Sequence, residues 1–101
     1  MLRSIDLPLE RIQTYCRRQP IQRLAVFGSA LRDDFTGDSD LDLLVEYQPD
    51  ATITLLDMAQ QELDLSAIIG RKVDLRTPNE LSRYFRQQVL DAALVLYEHQ
   101  G

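Results

Sequence analysis

Two carboxylates, Asp40 and Asp42, open an apolar run in Ser39-Asp40-Leu41-Asp42-Leu43-Leu44-Val45. A third, Asp74, sits in the alternating stretch Lys72-Val73-Asp74-Leu75-Arg76. If both stretches are strands, alternation places Asp40 and Asp42 on one face and Leu41, Leu43 and Val45 on the other. The same rule sets Asp74 opposite Val73 and Leu75. Where the strands are neighbours, three carboxylates converge, and like charges that close cannot all stay ionised without a counter-charge. Oxygen-only ligands suit a hard cation such as Mg²⁺, which is commonly shared with substrate phosphates. Two such ions can hold an in-line attack at phosphorus, one activating the nucleophile and one steadying the leaving group. Gly28-Ser29 ends another apolar run, Leu24 to Phe27. It offers close backbone approach, N–H groups and a hydroxyl for phosphate oxygens.

Each part has an ordinary reading on its own. An Asp-x-Asp pair usually lies on a solvated edge. A Gly-Ser after a strand is most often a turn. Asp74 has Arg71, Lys72 and Arg76 close in sequence as surface partners. The combination points to a site: a strand, Gly-Ser, ten residues from Ala30 to Ser39, Asp-x-Asp opening a second strand, then an acid on a third.

The elements that must position these residues follow from pattern and punctuation. Asp6 caps a first helix with Pro8 in its first turn, and Ile5, Leu9, Ile12 and Cys16 form its apolar stripe. Arg17 and Arg18 suit its last turn and Pro20 ends it. Ile21 to Phe27 reads as a strand, with Leu24 to Phe27 buried on both faces. Ala30 to Arg32 reads as a short helical turn whose N–H groups suit an anion. Asp33, Asp34, Thr36, Gly37 and Asp38 form a polar turn. The next strand runs from about Leu41 to Tyr47.

Thr54-x-x-Asp57 resembles a capping box, starting a helix to about Ile69 with Gly70 as its stop. Leu55, Leu56, Ala59, Leu63 and Ile68 are assigned to its apolar side. Lys72 to Arg76 reads as a strand. Thr77-Pro78-Asn79-Glu80 opens a last helix expected to reach Tyr97, with Leu81, Phe85, Val89, Ala92 or Ala93, and Leu96 on one face. The first strand meets the site at its C-terminal end and the second at its N-terminal end. Those strands must therefore be antiparallel. The expected architecture is α/β, a small mixed β-sheet flanked by helices.

Length and composition bound the function. The 101 residues read as a single domain, 1–101, able to bury one core. A net charge of −5 argues against direct nucleic-acid binding, which needs a basic face. No apolar run is long enough for a membrane span, and the N-terminus lacks the apolar core of a secretory signal. The lone Cys16 excludes an internal disulfide and fits a cytoplasmic protein.

The Gly28-Ser29 and Asp40-x-Asp42 spacing resembles the signature of the nucleotidyltransferase superfamily that includes DNA polymerase β. Phe27 to Glu46 is similar to the minimal nucleotidyltransferase (MNT) proteins of prokaryotes. Gly70 to Pro78 resembles their third-carboxylate strand. Leu81 to Arg86 and Ala93 to Tyr97 resemble their closing helix. The resemblance implies the polymerase β palm-like fold and a division of labour. Asp40 and Asp42 would bind both Mg²⁺ ions, and Asp74 would bind the catalytic ion and help deprotonate the attacking hydroxyl. Gly28 and Ser29 would hold the β- and γ-phosphates of an NTP. Arg32 would assist with phosphates or pair with Asp34 or Asp38. Asp33 departs from the glycine that many relatives carry there.

Stand-alone MNT proteins are typically antitoxins for a HEPN-domain RNase toxin, and some transfer AMP from ATP to a toxin tyrosine. The resemblance therefore implies an Mg²⁺-dependent protein adenylyltransferase whose partner is a cognate HEPN toxin. The alternative is a non-catalytic antitoxin that neutralises the toxin by binding it. A small-molecule nucleotidyltransferase is a third reading, and it usually needs a second domain for the acceptor. The hydroxyls of Tyr15, Tyr47, Tyr84 and Tyr97 are also conceivable acceptors in cis, with nothing in the sequence to separate them.

Overall fold

A computed structural model describes residues 7–28 and 40–99. Within them the chain runs α1 (Leu9–Arg17), β1 (Ile21–Phe27), β2 (Leu41–Tyr47), α2 (Leu55–Ile69), β3 (Val73–Arg76), a 3₁₀ turn (Pro78–Glu80), α3 (Arg86–Ala92) and β4 (Leu94–Glu98). The four strands form one sheet in the order β3-β2-β1-β4. β1 is antiparallel to both β2 and β4, and β2 is parallel to β3. The sheet is therefore mixed, as the placement of the acids requires. The parallel pair needs a crossover, and α2 supplies it.

Local chemistry fixes α2 at both ends. Thr54 Oγ1 accepts from the Asp57 N–H at 3.2 Å, and the Asp57 carboxylate accepts from the Thr54 N–H at 2.9 Å. This is the reciprocal cap predicted from sequence, with Asp in the place of the usual Glu. Gly70 ends the helix at φ +85°, a conformation that costs a residue with a Cβ. At α1, Pro8 stands just before the first helical residue and Arg17 occupies the last turn. Asp6 and Ile5 lie outside the described residues.

One face of the sheet carries the core. Leu24 and Val26 of β1, Leu41, Leu43 and Val45 of β2 and Val73 and Leu75 of β3 pack with Ile12, Cys16 and Leu65 from the helices. Leu96 and Tyr97 of β4 complete this cluster. Burying one such aliphatic side chain stabilises the fold by roughly 1.5–3 kcal/mol. Ala25 and Leu44 point to the opposite face and are also buried. The 3₁₀ turn lies against β2, and α3 lies against β1.

Three expectations need correction. The last helix does not run from Pro78 to Tyr97. The Thr77–Glu80 capping box forms, but it caps only the 3₁₀ turn, because Leu81 is extended at φ −83°, ψ 146°. Leu94 to Glu98, including the stretch likened to a closing helix, is strand β4. The physical reason lies in β1, whose second edge would otherwise be left with unpaired backbone groups beside a buried run. Secondly, the apolar side assigned to α2 faces outward except at Ile68, which packs beside the core. Leu55, Leu56 and Leu63 are exposed, whereas Gln61 and Leu65 are buried and Met58, Ile68 and Ile69 pack beside the core. Thirdly, Leu9 is exposed, so the α1 stripe narrows to Ile12 and Cys16.

Candidate active site

The acids arrive where the strand pairing brings them. Asp42 lies opposite Phe27 across the antiparallel pair and opposite Asp74 across the parallel pair. Its neighbours Leu41 and Leu43 are fully buried on the helix side. Asp42 and Asp74 therefore share the other face of the sheet, on adjacent strands. Directly opposed like charges destabilise a sheet. A chain that keeps two acids in this relation concentrates negative potential at one point.

Gly28 closes the same corner. It follows Phe27 at the end of β1 with φ +76°, a left-handed conformation that side chains resist. A Cβ built on it would lie 2.5 Å from Asp42 Oδ2. The missing side chain leaves the space beside this turn to the Asp42 carboxylate.

Asp40 sits just before β2. The Leu41 N–H donates to the Lys72 carbonyl at 2.9 Å, which seats Asp40 beside the start of β3. The Asp40 carboxylate lies 3.8 Å from Lys72 Nζ, an exposed ion pair of small energetic worth. Lys72 is thus a neighbour of Asp40, although the sequence suggested it as a partner for Asp74. Among the described residues no three His, Cys, Asp or Glu side chains stand close enough to share one ion. Gly28, Asp42 and Asp74 are brought together, and Asp40 stands just before β2 with Lys72 as its ion-pair partner. Ser29 and Arg32, with the polar turn after them, lie outside the described residues.

The donor set is chemically suited to a hard divalent cation. It offers carboxylate oxygens, with Asp42 and Asp74 side by side on rigid strands and backbone in place of a side chain at Gly28. The residues that could hold such ions are Asp40, Asp42 and Asp74. Farther along the same face, Arg23 pairs with Glu46 at 3.5 Å and Glu98 at 3.2 Å, tying β1 to both neighbours. A groove of about 530 Å³ along β4, lined by Gln13, Arg17 and His99, contains none of these acids.

A family model described as a nucleotidyltransferase domain matches residues 9–96. The chain belongs to this family. It is 33% identical over 70 residues to the protein adenylyltransferase MntA of Thermococcus cleftensis, which covers 69% of each chain. A solved structure described provisionally as a minimal nucleotidyltransferase matches with a TM-score of 0.70 at 38% identity, covering 85% of this chain and 86% of that one. The complex of a tri-AMPylated HEPN toxin with an MNT antitoxin from Shewanella oneidensis matches with a TM-score of 0.64 at 21% identity, over 91% of this chain and 71% of its own. At that identity it shows the shared fold. The resemblance of the chain to minimal nucleotidyltransferases is borne out.

Sequence reasoning missed the residues that hold the site's backbone. Glu62 and Ser66 of α2 reach the outer edge of β3, and Phe27 faces Asp42. A period-2 pattern identifies which residues share a face. It does not tell which helical side chains meet a strand edge.

Proposed function

We propose that this nucleotidyltransferase is a cytoplasmic, Mg²⁺-dependent antitoxin that transfers AMP from ATP to a tyrosine hydroxyl of a HEPN-domain RNase toxin. The observation that carries the reading is the opposition of Asp42 and Asp74 across β2 and β3, with Gly28 against Asp42. Relatives named as adenylyltransferases, and the named toxin–antitoxin complex of the same fold, supply the acceptor class.

In the reaction, the acceptor oxygen forms a bond to the α-phosphorus of ATP. The bond from that phosphorus to the α–β bridging oxygen breaks, and pyrophosphate leaves. Asp74 takes the hydroxyl proton on its carboxylate. Asp40, Asp42 and Asp74 would hold the divalent ions, which would supply charge neutralisation at the phosphates and activation of the attacking oxygen. Gly28 and Ser29 seat the β- and γ-phosphates by backbone N–H groups and hydroxyl, and Arg32 assists there. The strand pairing orients Asp42 and Asp74 before charge develops.

Intact mass spectrometry tests this. The protein is incubated with its candidate HEPN partner, ATP and Mg²⁺. A gain of whole AMP units on the partner, absent with Asp42→Asn, is expected. A stable complex that blocks the partner's RNase activity without any mass gain would replace enzymatic by steric neutralisation.

A further inference from the structure

β3 is four residues long and, among the described residues, lies at the edge of the sheet with only β2 beside it. Parallel pairing is the weaker kind per residue, and a one-residue slip would turn Asp74 into the core and Val73 out of it. The strand nevertheless has its outer N–H groups engaged. The Val73 N–H donates to Ser66 Oγ at 3.0 Å, and the Leu75 N–H donates to Glu62 Oε2 at 2.8 Å. Ser66 Oγ in turn donates to the Glu62 carbonyl at 2.7 Å, which fixes its own orientation.

The spacing of these contacts is informative. Glu62 and Ser66 are one helical turn apart, an advance of about 6 Å along α2. Val73 and Leu75 are two strand residues apart, about 6.6 Å. The two rises match, so the pair of acceptors engages Val73 and Leu75 together and brackets Asp74. A carboxylate acceptor also makes the Leu75 bond stronger than a neutral one.

We infer that Glu62 and Ser66 are positioning residues, a two-point clamp on β3 that holds the Asp74 carboxylate in register with Asp42 for divalent-ion binding. This rests on the reading of Asp42 and Asp74 as ligands. The clamp touches neither substrate nor ion and acts through the backbone on either side of Asp74.

The test follows the carboxyl carbon resonances of Asp42 and Asp74 by NMR as Mg²⁺ is added to the full chain with a non-hydrolysable ATP analogue. Amide exchange at Val73 and Leu75 is measured in parallel. Replacing both acceptors, Glu62→Ala with Ser66→Ala, should speed that exchange and raise the Mg²⁺ concentration for half-response by roughly tenfold. Glu62→Gln with Ser66→Thr keeps an oxygen acceptor at each position and should stay close to wild type. If the double alanine variant does not fold, Ser66→Ala alone should show a smaller shift in the same direction. Faster exchange with an unchanged Mg²⁺ response would overturn the proposal and leave the pair as edge protection only. A wild-type protein whose two carboxylates ignore Mg²⁺ would overturn it together with the metal reading. A normal Mg²⁺ response without AMP transfer would leave the clamp standing and sink the transfer reaction.

Discussion

Gly28 stands so close to Asp42 that a methyl group on its Cα would reach to 2.5 Å from Oδ2. Its φ of +76° adds a second penalty for any side chain, roughly 1–2 kcal/mol of backbone strain. Gly28→Ala must therefore either twist the end of β1 or push the Asp42 carboxylate away from Asp74. A displacement of about 1 Å at a reacting centre costs on the order of 100-fold in rate. The expected outcome is a loss of that size in AMP transfer, together with a fall in melting temperature of at least about 4 °C from the backbone strain. Calorimetry beside the mass assay checks both halves.

Asp42 and Asp74 make a prediction with two opposite signs. As opposed like charges they cost the sheet roughly 0.2–1 kcal/mol. As ligands they support the reaction by several kcal/mol of charge stabilisation. Asp74→Asn should then lower transfer about a thousandfold, equivalent to roughly 4 kcal/mol, while the urea midpoint stays level or rises. A fall in both would mean that Asp74 holds the strand together and is not kept for chemistry.

Much of this site was readable because its residues obey period 2. Asp42 between Leu41 and Leu43, and Asp74 between Val73 and Leu75, declare their face without any knowledge of the partner strand. The antiparallel β1–β2 pair followed from requiring Gly28 and Asp42 to meet. Strand β4 was not readable. Leu81, Phe85, Val89 and Leu96 recur at helical spacing and follow a genuine cap, yet the capped turn stops at Glu80 and Leu94 to Glu98 pairs with β1. That pairing partner is some 70 positions away in sequence, beyond the reach of any local pattern.

Helix α2 shows a second limit, and it is directly testable. Apolar residues occupy both of its sides, so the leucine-rich side looks like the core side. In the structure Leu65 is fully buried and Leu63 is exposed. The buried side also carries Gln61, whose Oε1 accepts from the Tyr47 hydroxyl at 2.8 Å. That bond lets a polar residue sit inside. Leu65→Ala should cost about 2–5 kcal/mol, whereas Leu63→Ala should stay within about 0.5 kcal/mol of wild type. Urea denaturation of the two variants separates the faces, and equal costs would place the core on the wrong side of α2.

The same Tyr47 predicts how stability ends at high pH. Burial, with the charges of Asp57 and Glu80 nearby, pushes its hydroxyl from 10.0 up to about 12. Burial alone pushes the Cys16 thiol from 9.0 up to about 12. Tyr15 is raised as well, by burial first and then by its 2.7 Å hydrogen bond to Asp64. In the unfolded chain these groups lose their protons near their ordinary values, while the folded protein keeps them. The folded state holds more protons across that window, so its stability falls as pH rises. The stabilisation is complete below about pH 9 and is lost progressively toward pH 12. Urea midpoints should be flat from neutral pH to about 9 and then decline. Tyr47→Phe should lower stability at neutral pH by about 1–3 kcal/mol, because the buried Gln61 loses its donor. Above pH 10 the same variant should decline less steeply than wild type, since one of the titrating groups is gone. Parallel curves for the two proteins would show that Tyr47 keeps an ordinary hydroxyl and that the alkaline limit is set elsewhere.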